Sequence, residues 1–226
     1  MKYLKNCPCF VICFVFFILL AGVQVYAQHT TRATKGPGSK TTAGGGAKVV
    51  MNADQVIKLR KLSGLGRRGY VKSPEFRTTV GSTVVAEKDW VQISLEYATA
   101  PEWIDELTFQ FYAVSSAMID GVKTYSFYKS AVRYADVERG NHVCTMYLRP
   151  SAVKRFGDLF AVAVEVSYKG NVVDEMAEEG QKMPPKWWKD PVVVENPNTV
   201  TREGYFINRS LSPFSLISCE GYEFIK

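Results

Sequence analysis

Histidine is nearly absent from this sequence: only His29 and His142 occur in 226 residues. His29 lies in a stretch rich in Thr, Gly and Lys, so His142 alone is left to act as base or ligand within a folded body. No Gly-x-Ser-x-Gly turn or comparable nucleophile motif accompanies it, which argues against Ser-His-Asp and Cys-His chemistry. His142, Cys144 and Met146 share one face of a strand and match a soft-metal set in type. Their spacing works against a shared ion, because His142 and Met146 stand about 13 Å apart along an extended chain. Ordered acidic motifs are missing too. Asp174, Glu175, Glu178 and Glu179 lack the Asp-x-Asp-x-Asp-Gly order of a dedicated calcium loop. The expectation is a protein without catalytic residues, cofactor or metal.

Cysteine is scarce outside the first residues. Five are present, and Cys7, Cys9 and Cys13 precede or interrupt the apolar run Phe10 to Val23. The body keeps Cys144 and Cys219, which in an oxidising compartment could form a bridge stabilising by about 3–4 kcal/mol through loop closure. Two buried thiols packed as small hydrophobes are the alternative.

A surplus of acid is absent as well. The formal net charge is +6, yet Lys2, Lys5, Arg32, Lys35, Lys40 and Lys48 all precede Val49. Removing those six from 28 basic residues leaves 22 basic against 22 acidic in residues 49–226. A neutral body does not suit a nucleic-acid partner.

What is present has an order. Residues 1–27 carry Lys2 and Lys5, an apolar run, and Val25-Tyr26-Ala27, the three parts of a secretory signal cleaved after Ala27. The alternative is retention as an anchor, because the uncharged stretch from Cys9 to Ala27 approaches the roughly 20 residues of a bilayer span. Residues 28–48, with Gly36-Pro37-Gly38 and Gly44-Gly45-Gly46, have too little apolar area to order themselves and read as a flexible Gly/Lys tail. Residues 49–226 read as a single β-sandwich domain. The location implied is exported: periplasm, outer membrane or cell surface.

Within that domain the stretch from Asp158 to Tyr168 is apolar on both faces, as a central strand requires. Phe160, Val162, Val164, Val166 and Tyr168 form one face, and Leu159, Ala161 and Ala163 the other. Val91–Tyr97 and Leu107–Ala113 alternate apolar and polar residues. A helical turn carrying Trp103 is expected after Ala100-Pro101. Asp120-Gly121, Gly140-Asn141 and Lys169-Gly170-Asn171 read as turns. Strands are expected near Lys123–Glu138, His142–Leu148, Tyr205–Asn208, Phe214–Cys219 and Tyr222–Ile225, with a helical turn at Ser151–Phe156. The acidic run Asp174–Glu179 reads as a loop. Asn52 opens a helical pattern in which Val56, Leu59 and Leu62 share a face and Gly64 ends it. The fold class is all-β, an antiparallel sandwich with one or two short peripheral helices.

Two surfaces stand out for binding. Between Lys58 and Arg77 seven basic residues face the single Glu75; as a patch that includes Arg67, Arg68 and Lys72 they would suit a sulfated or sialylated glycan, lipid headgroups or an acidic partner, and the more usual reading is a solvated helix face with a Gly-rich turn. Trp187 and Trp188, flanked by Lys186 and Lys189 on a Pro-rich segment, could stack on a sugar or anchor a protein. More often such tryptophans fold back and cover the open end of a sandwich, and that is the reading favoured here.

The Cys-Trp-Tyr-x-Cys spacing of antibody domains is absent. The leader, the Gly/Lys tail, the aromatic-rich strands, Pro184-Pro185-Lys186-Trp187-Trp188 and Tyr205-Phe206-Ile207-Asn208-Arg209 together resemble the immunoglobulin-like surface proteins encoded in type IV pilus gene clusters of mucus-dwelling gut Verrucomicrobia. That resemblance implies an immunoglobulin-like sandwich, similar to accessory proteins of archaeal pili. It also implies a non-enzymatic surface or pilus-associated role in host contact, with protein partners in the assembly and a homo-oligomer as one outcome. A secreted carboxylate-dependent glycan hydrolase is the alternative.

Overall fold

Two very long strands organise the molecule. The computed structural model describes residues 56–74, 87–215, 217 and 224–226, all within one compact unit, Val49–Lys226. In chain order the elements are β1 (Ile57–Ser63), β2 (Tyr70–Lys72), β3 (Asp89–Ile119), β4 (Val122–Leu148), α1 (Pro150–Phe156), β5 (Leu159–Tyr168), β6 (Asn171–Glu179), α2 (Pro191–Val194), β7 (Thr199–Thr201), β8 (Phe206–Asn208) and β9 (Phe224–Ile225). The strands form one sheet with the order β6-β5-β3-β4-β7; β1 and β2 pair with the first part of β3, and β8 and β9 pair with β4. All pairings are antiparallel except β4 with β7.

The hairpin β3–β4 closes at Asp120-Gly121, whose φ angles of 51° and 80° fit a two-residue turn of the twist-compatible kind. Its register is interrupted between Thr99 and Trp103. Beyond that irregularity β3 exchanges β1 and β2 for β5 as its neighbour. Val91, Ile93, Leu95 and Tyr97 on one side of the break share a buried core with Leu107, Phe109, Phe111 and Ala113 on the other. The sheet thus folds over on itself, and its two halves face each other as the layers of the expected all-β sandwich do. Val162, Val164 and Val166 of β5, Phe156 of α1 and Phe206 of β8 complete this core.

Several sequence expectations are corrected. Residues 57–63 are a strand: Ile57, Leu59 and Leu62 are buried, and a register shift between Leu59 and Lys61 inserts one residue. That bulge converts a spacing of two into three, which imitates a helical face. Ala100-Pro101 starts no helical turn, and Gly140-Asn141 is no turn; both lie inside the long strands, with Gly140 opposite Thr99. Residues 174–179 belong to β6. In β5 a register shift near Leu159 swaps the faces at its start. Leu159 therefore joins the valine core, and Phe160 packs on the opposite side with Ala161 and Ala163.

The central strand, the turn at Lys169-Gly170 and the helix before Gly157 match expectation. Of Phe214–Cys219 the described residues form turns rather than a strand, and the remainder lies outside the described residues. The leader, the tail and the Asn52 cap also lie outside them. Cys144 is buried in the core, and its expected partner Cys219 lies outside the described residues.

Candidate functional site

The back of the sheet carries a second core. Tyr112 and Val114 of β3, Phe127 of β4, and Ala161 and Ala163 of β5 point away from the sandwich interior. Small alanines on β5 leave a shallow trough, and the segment before α2 fills it. Trp187 is fully buried and Trp188 is 6% exposed. The Trp187 ring meets Phe127 edge-on at 6.4 Å, and Trp188 stacks over Tyr112 at 6.4 Å.

Glu165 fastens this strap. It is the one buried charged side chain among the described residues, and it alternates onto the same face as Ala161 and Ala163. Its Oε1 accepts from Trp188 Nε1 at 3.0 Å and pairs with Lys189 Nζ, while Oε2 accepts from the Tyr112 hydroxyl at 3.2 Å. Burial by itself would raise the Glu165 carboxyl, but the Lys189 ammonium and the Trp188 and Tyr112 donors outweigh it and hold the group below the usual carboxylate value. Burial, followed by the nearby Glu165 charge and hydrogen bond, pushes Tyr112 up to about 12. One residue before the tryptophans, Lys186 pairs with Glu175 of β6 at 2.6 Å.

Of the two arrangements open to Trp187 and Trp188 in the sequence, an exposed binding pair or a pair folded back over the sheet, the structure has the second. The indoles face inward, and both lysines hold carboxylates of the sheet. The Pro-rich run signals the strap in sequence, but the receiving trough depends on Glu165, which reads there as an ordinary polar residue of a strand.

The basic segment is arranged differently. Gly66–Gly69 forms one 3-10 turn that exposes Arg67 and Arg68. The turn lies tightly against the sheet edge. A Cβ on Gly64, whose φ is +139°, would meet Gln92 O at 2.4 Å, so only glycine allows this approach. Lys72 is drawn off to Asp89 at 2.6 Å, and that ion pair raises its pKa. Arg68 instead borders a cleft of about 240 Å³ with Lys61, Ser63, Val71, Gln92 and Ser94. The structure thus brings Arg68 together with Lys61, another cation of the same basic run, and with Gln92 and Ser94, two residues that sequence reading left out of the site. The signal was available: Gln92 and Ser94 occupy the polar face of an alternating strand.

His142 stacks on Tyr97 at 5.1 Å, and its Nε2 lies 2.8 Å from Glu138 O and 3.1 Å from Thr99 Oγ1. Cys144 and Met146 are fully buried. No group of three or more His, Cys, Asp or Glu among the described residues could hold a metal ion. No helix among them is long and apolar enough to cross a membrane.

A protein-family model matches residues 67–226, more than half of the chain. A crystal structure of a protein from Akkermansia muciniphila superposes with a TM-score of 0.61 at 27% sequence identity, over 76% of this chain and 92% of that one. No curated protein matches the sequence.

Proposed function

We propose, since the chain belongs to the family whose model spans residues 67–226, that it is an exported, non-enzymatic cell-surface or pilus-associated module. It works by protein or glycan contacts in pilus assembly or in adhesion to host or mucus. Its partners are other proteins of a surface or pilus assembly, with anionic glycan as a further ligand and a homo-oligomer as one arrangement. The likeness to a protein of Akkermansia muciniphila along most of both chains supports an immunoglobulin-like body of this kind.

One observation carries the non-enzymatic part. The buried carboxylate of Glu165, the strongest candidate for chemistry, is enclosed by Tyr112, Trp188 and Lys189 and holds the strap in place. A carboxylate-dependent glycan hydrolase would need two facing carboxyl groups about 5–10 Å apart on an open cleft. Glu106 borders an open cleft of about 360 Å³ with Asp105, but Arg133 at 3.3 Å and Lys226 at 3.0 Å occupy its oxygens.

The test is surface labelling of intact cells that express the protein, followed by recovery of its partners from surface extracts. Labelling without permeabilisation and co-recovery of pilus subunits are expected. Protection from the label on intact cells would overturn the reading, as would turnover of a polysaccharide abolished by Glu106→Gln.

A further inference from the structure

The cleft beside the Gly66–Gly69 turn brings two cations, a polar floor and an apolar wall together. We propose that it is a binding site for one sugar residue bearing a sulfate or carboxylate group. Two exposed cations, Lys61 from β1 and Arg68 from the turn, border it, and neither has an ion-pair partner among the described residues. Lys72, the neighbouring cation, is held by Asp89. Arg68 presents a planar fork of donors that fits a sulfate or carboxylate with two parallel hydrogen bonds.

The floor of the cleft is polar and neutral. Gln92 Nε2 donates to Ser94 Oγ at 3.0 Å, which orients the amide and leaves its oxygen as an acceptor for a sugar hydroxyl. Ser63 Oγ donates to Ser94 O at 3.4 Å, which fixes a second hydroxyl group at the same edge. Val71 supplies an apolar wall. An acidic sugar finds here a fixed charge for its anionic group, preoriented donors and acceptors for its hydroxyls, and the Val71 side chain for its C–H face.

Size and charge narrow the class. A volume of about 240 Å³ falls below the roughly 300–1,000 Å³ of pockets that enclose drug-sized ligands, so one residue of a longer glycan is held rather than a chain segment. Glu96 is exposed and pairs with Lys61 in the strand register, on the same face as Ser94. That carboxylate disfavours a polymer with a charge at every unit and favours a single anionic substituent flanked by neutral hydroxyls.

The inference deepens the glycan arm of the proposed function and rests on it, while leaving surface location and pilus association to their own experiment. The exported chain is titrated calorimetrically with a mono-sulfated disaccharide, with its desulfated form, with inorganic sulfate and with a short poly-glutamate peptide. Binding of the sulfated sugar is expected, weakened about tenfold or more by Lys61→Ala or Arg68→Ala, each of which removes a charge-assisted contact. Arg68→Lys should restore part of it, and Gln92→Ala should weaken the sulfated and desulfated sugars by the same factor. Lys154→Ala, on α1 and outside the cleft, is the control. Circular dichroism and the unfolding midpoint establish that each variant is folded. Unchanged affinity in the folded Lys61→Ala and Arg68→Ala variants would overturn the site. Equal binding of inorganic sulfate or poly-glutamate would overturn the sugar assignment. If cells display the protein and pilus subunits are recovered with it while no sugar binds, only this inference fails.

Discussion

At the scale of single residues, Glu165 shows how a charge can serve a core. Its three partners come from two elements, Tyr112 of β3 and the adjacent Trp188 and Lys189 of the strap, so its two oxygens are satisfied although it is buried. Because its folded pKa lies below the ordinary value of 4.5, it contributes stability that is present above that value and lost as pH falls through the lowered one. Glu165→Gln should therefore cost about 1–3 kcal/mol at pH 7 and should flatten the loss of stability as pH falls below the ordinary carboxylate value of 4.5. Urea unfolding at several pH values measures both, and an unchanged acid slope would contradict the assignment. Tyr112 carries the opposite sign. Its pKa is raised from 10.0 to about 12, so its contribution is intact below pH 10 and lost as pH rises towards 12. Tyr112→Phe should remove part of the alkaline destabilisation while costing about 1 kcal/mol near neutrality.

At the scale of elements, legibility in the sequence depended on whether alternation was regular. β5 could be found because Val162, Val164 and Val166 oppose Ala161 and Ala163 without interruption, and the Asp120-Gly121 and Lys169-Gly170 turns carry their own chemistry. β1 was hidden by its bulge, and β6 by its four carboxylates and by having no buried residue, so that no apolar face marks it. The continuity of β3 and β4 through Pro101 and Gly140 was hidden because both residues usually end strands, and here an irregular register absorbs them. The cleft was half legible: Arg68 stood out by charge, but its meeting with Gln92 depends on the Gly64 approach, which no local pattern encodes. Gly64→Ala should cost about 2–3 kcal/mol or more, because it combines a positive φ with a backbone clash. A fall in thermal midpoint together with weaker sugar binding is expected; a stable variant with unaltered binding would show that the turn moves freely.

At the scale of the whole molecule, the two cores are not independent, because they occupy opposite faces of the same strands. Phe109, Phe111 and Ala113 face the sandwich interior while Tyr112 and Val114 face the strap; β5 divides its valines and alanines in the same way. Detaching the strap would expose Trp187 and Trp188 together with the face they cover, a loss of about 3–5 kcal/mol for each large aromatic side chain. That is comparable with the entire stability of a typical domain, about 5–15 kcal/mol, so an open-strap state should hardly be populated. Tryptophan fluorescence, dominated by the buried pair, and far-ultraviolet circular dichroism of the sheet should therefore trace one coincident unfolding transition in urea. Trp187→Ala should shift both signals to lower denaturant together. A fluorescence change that precedes the loss of sheet would mean that the strap is a separately mobile element. Glu165 and Lys189 would then act as a latch on the back of the sheet rather than as part of its core.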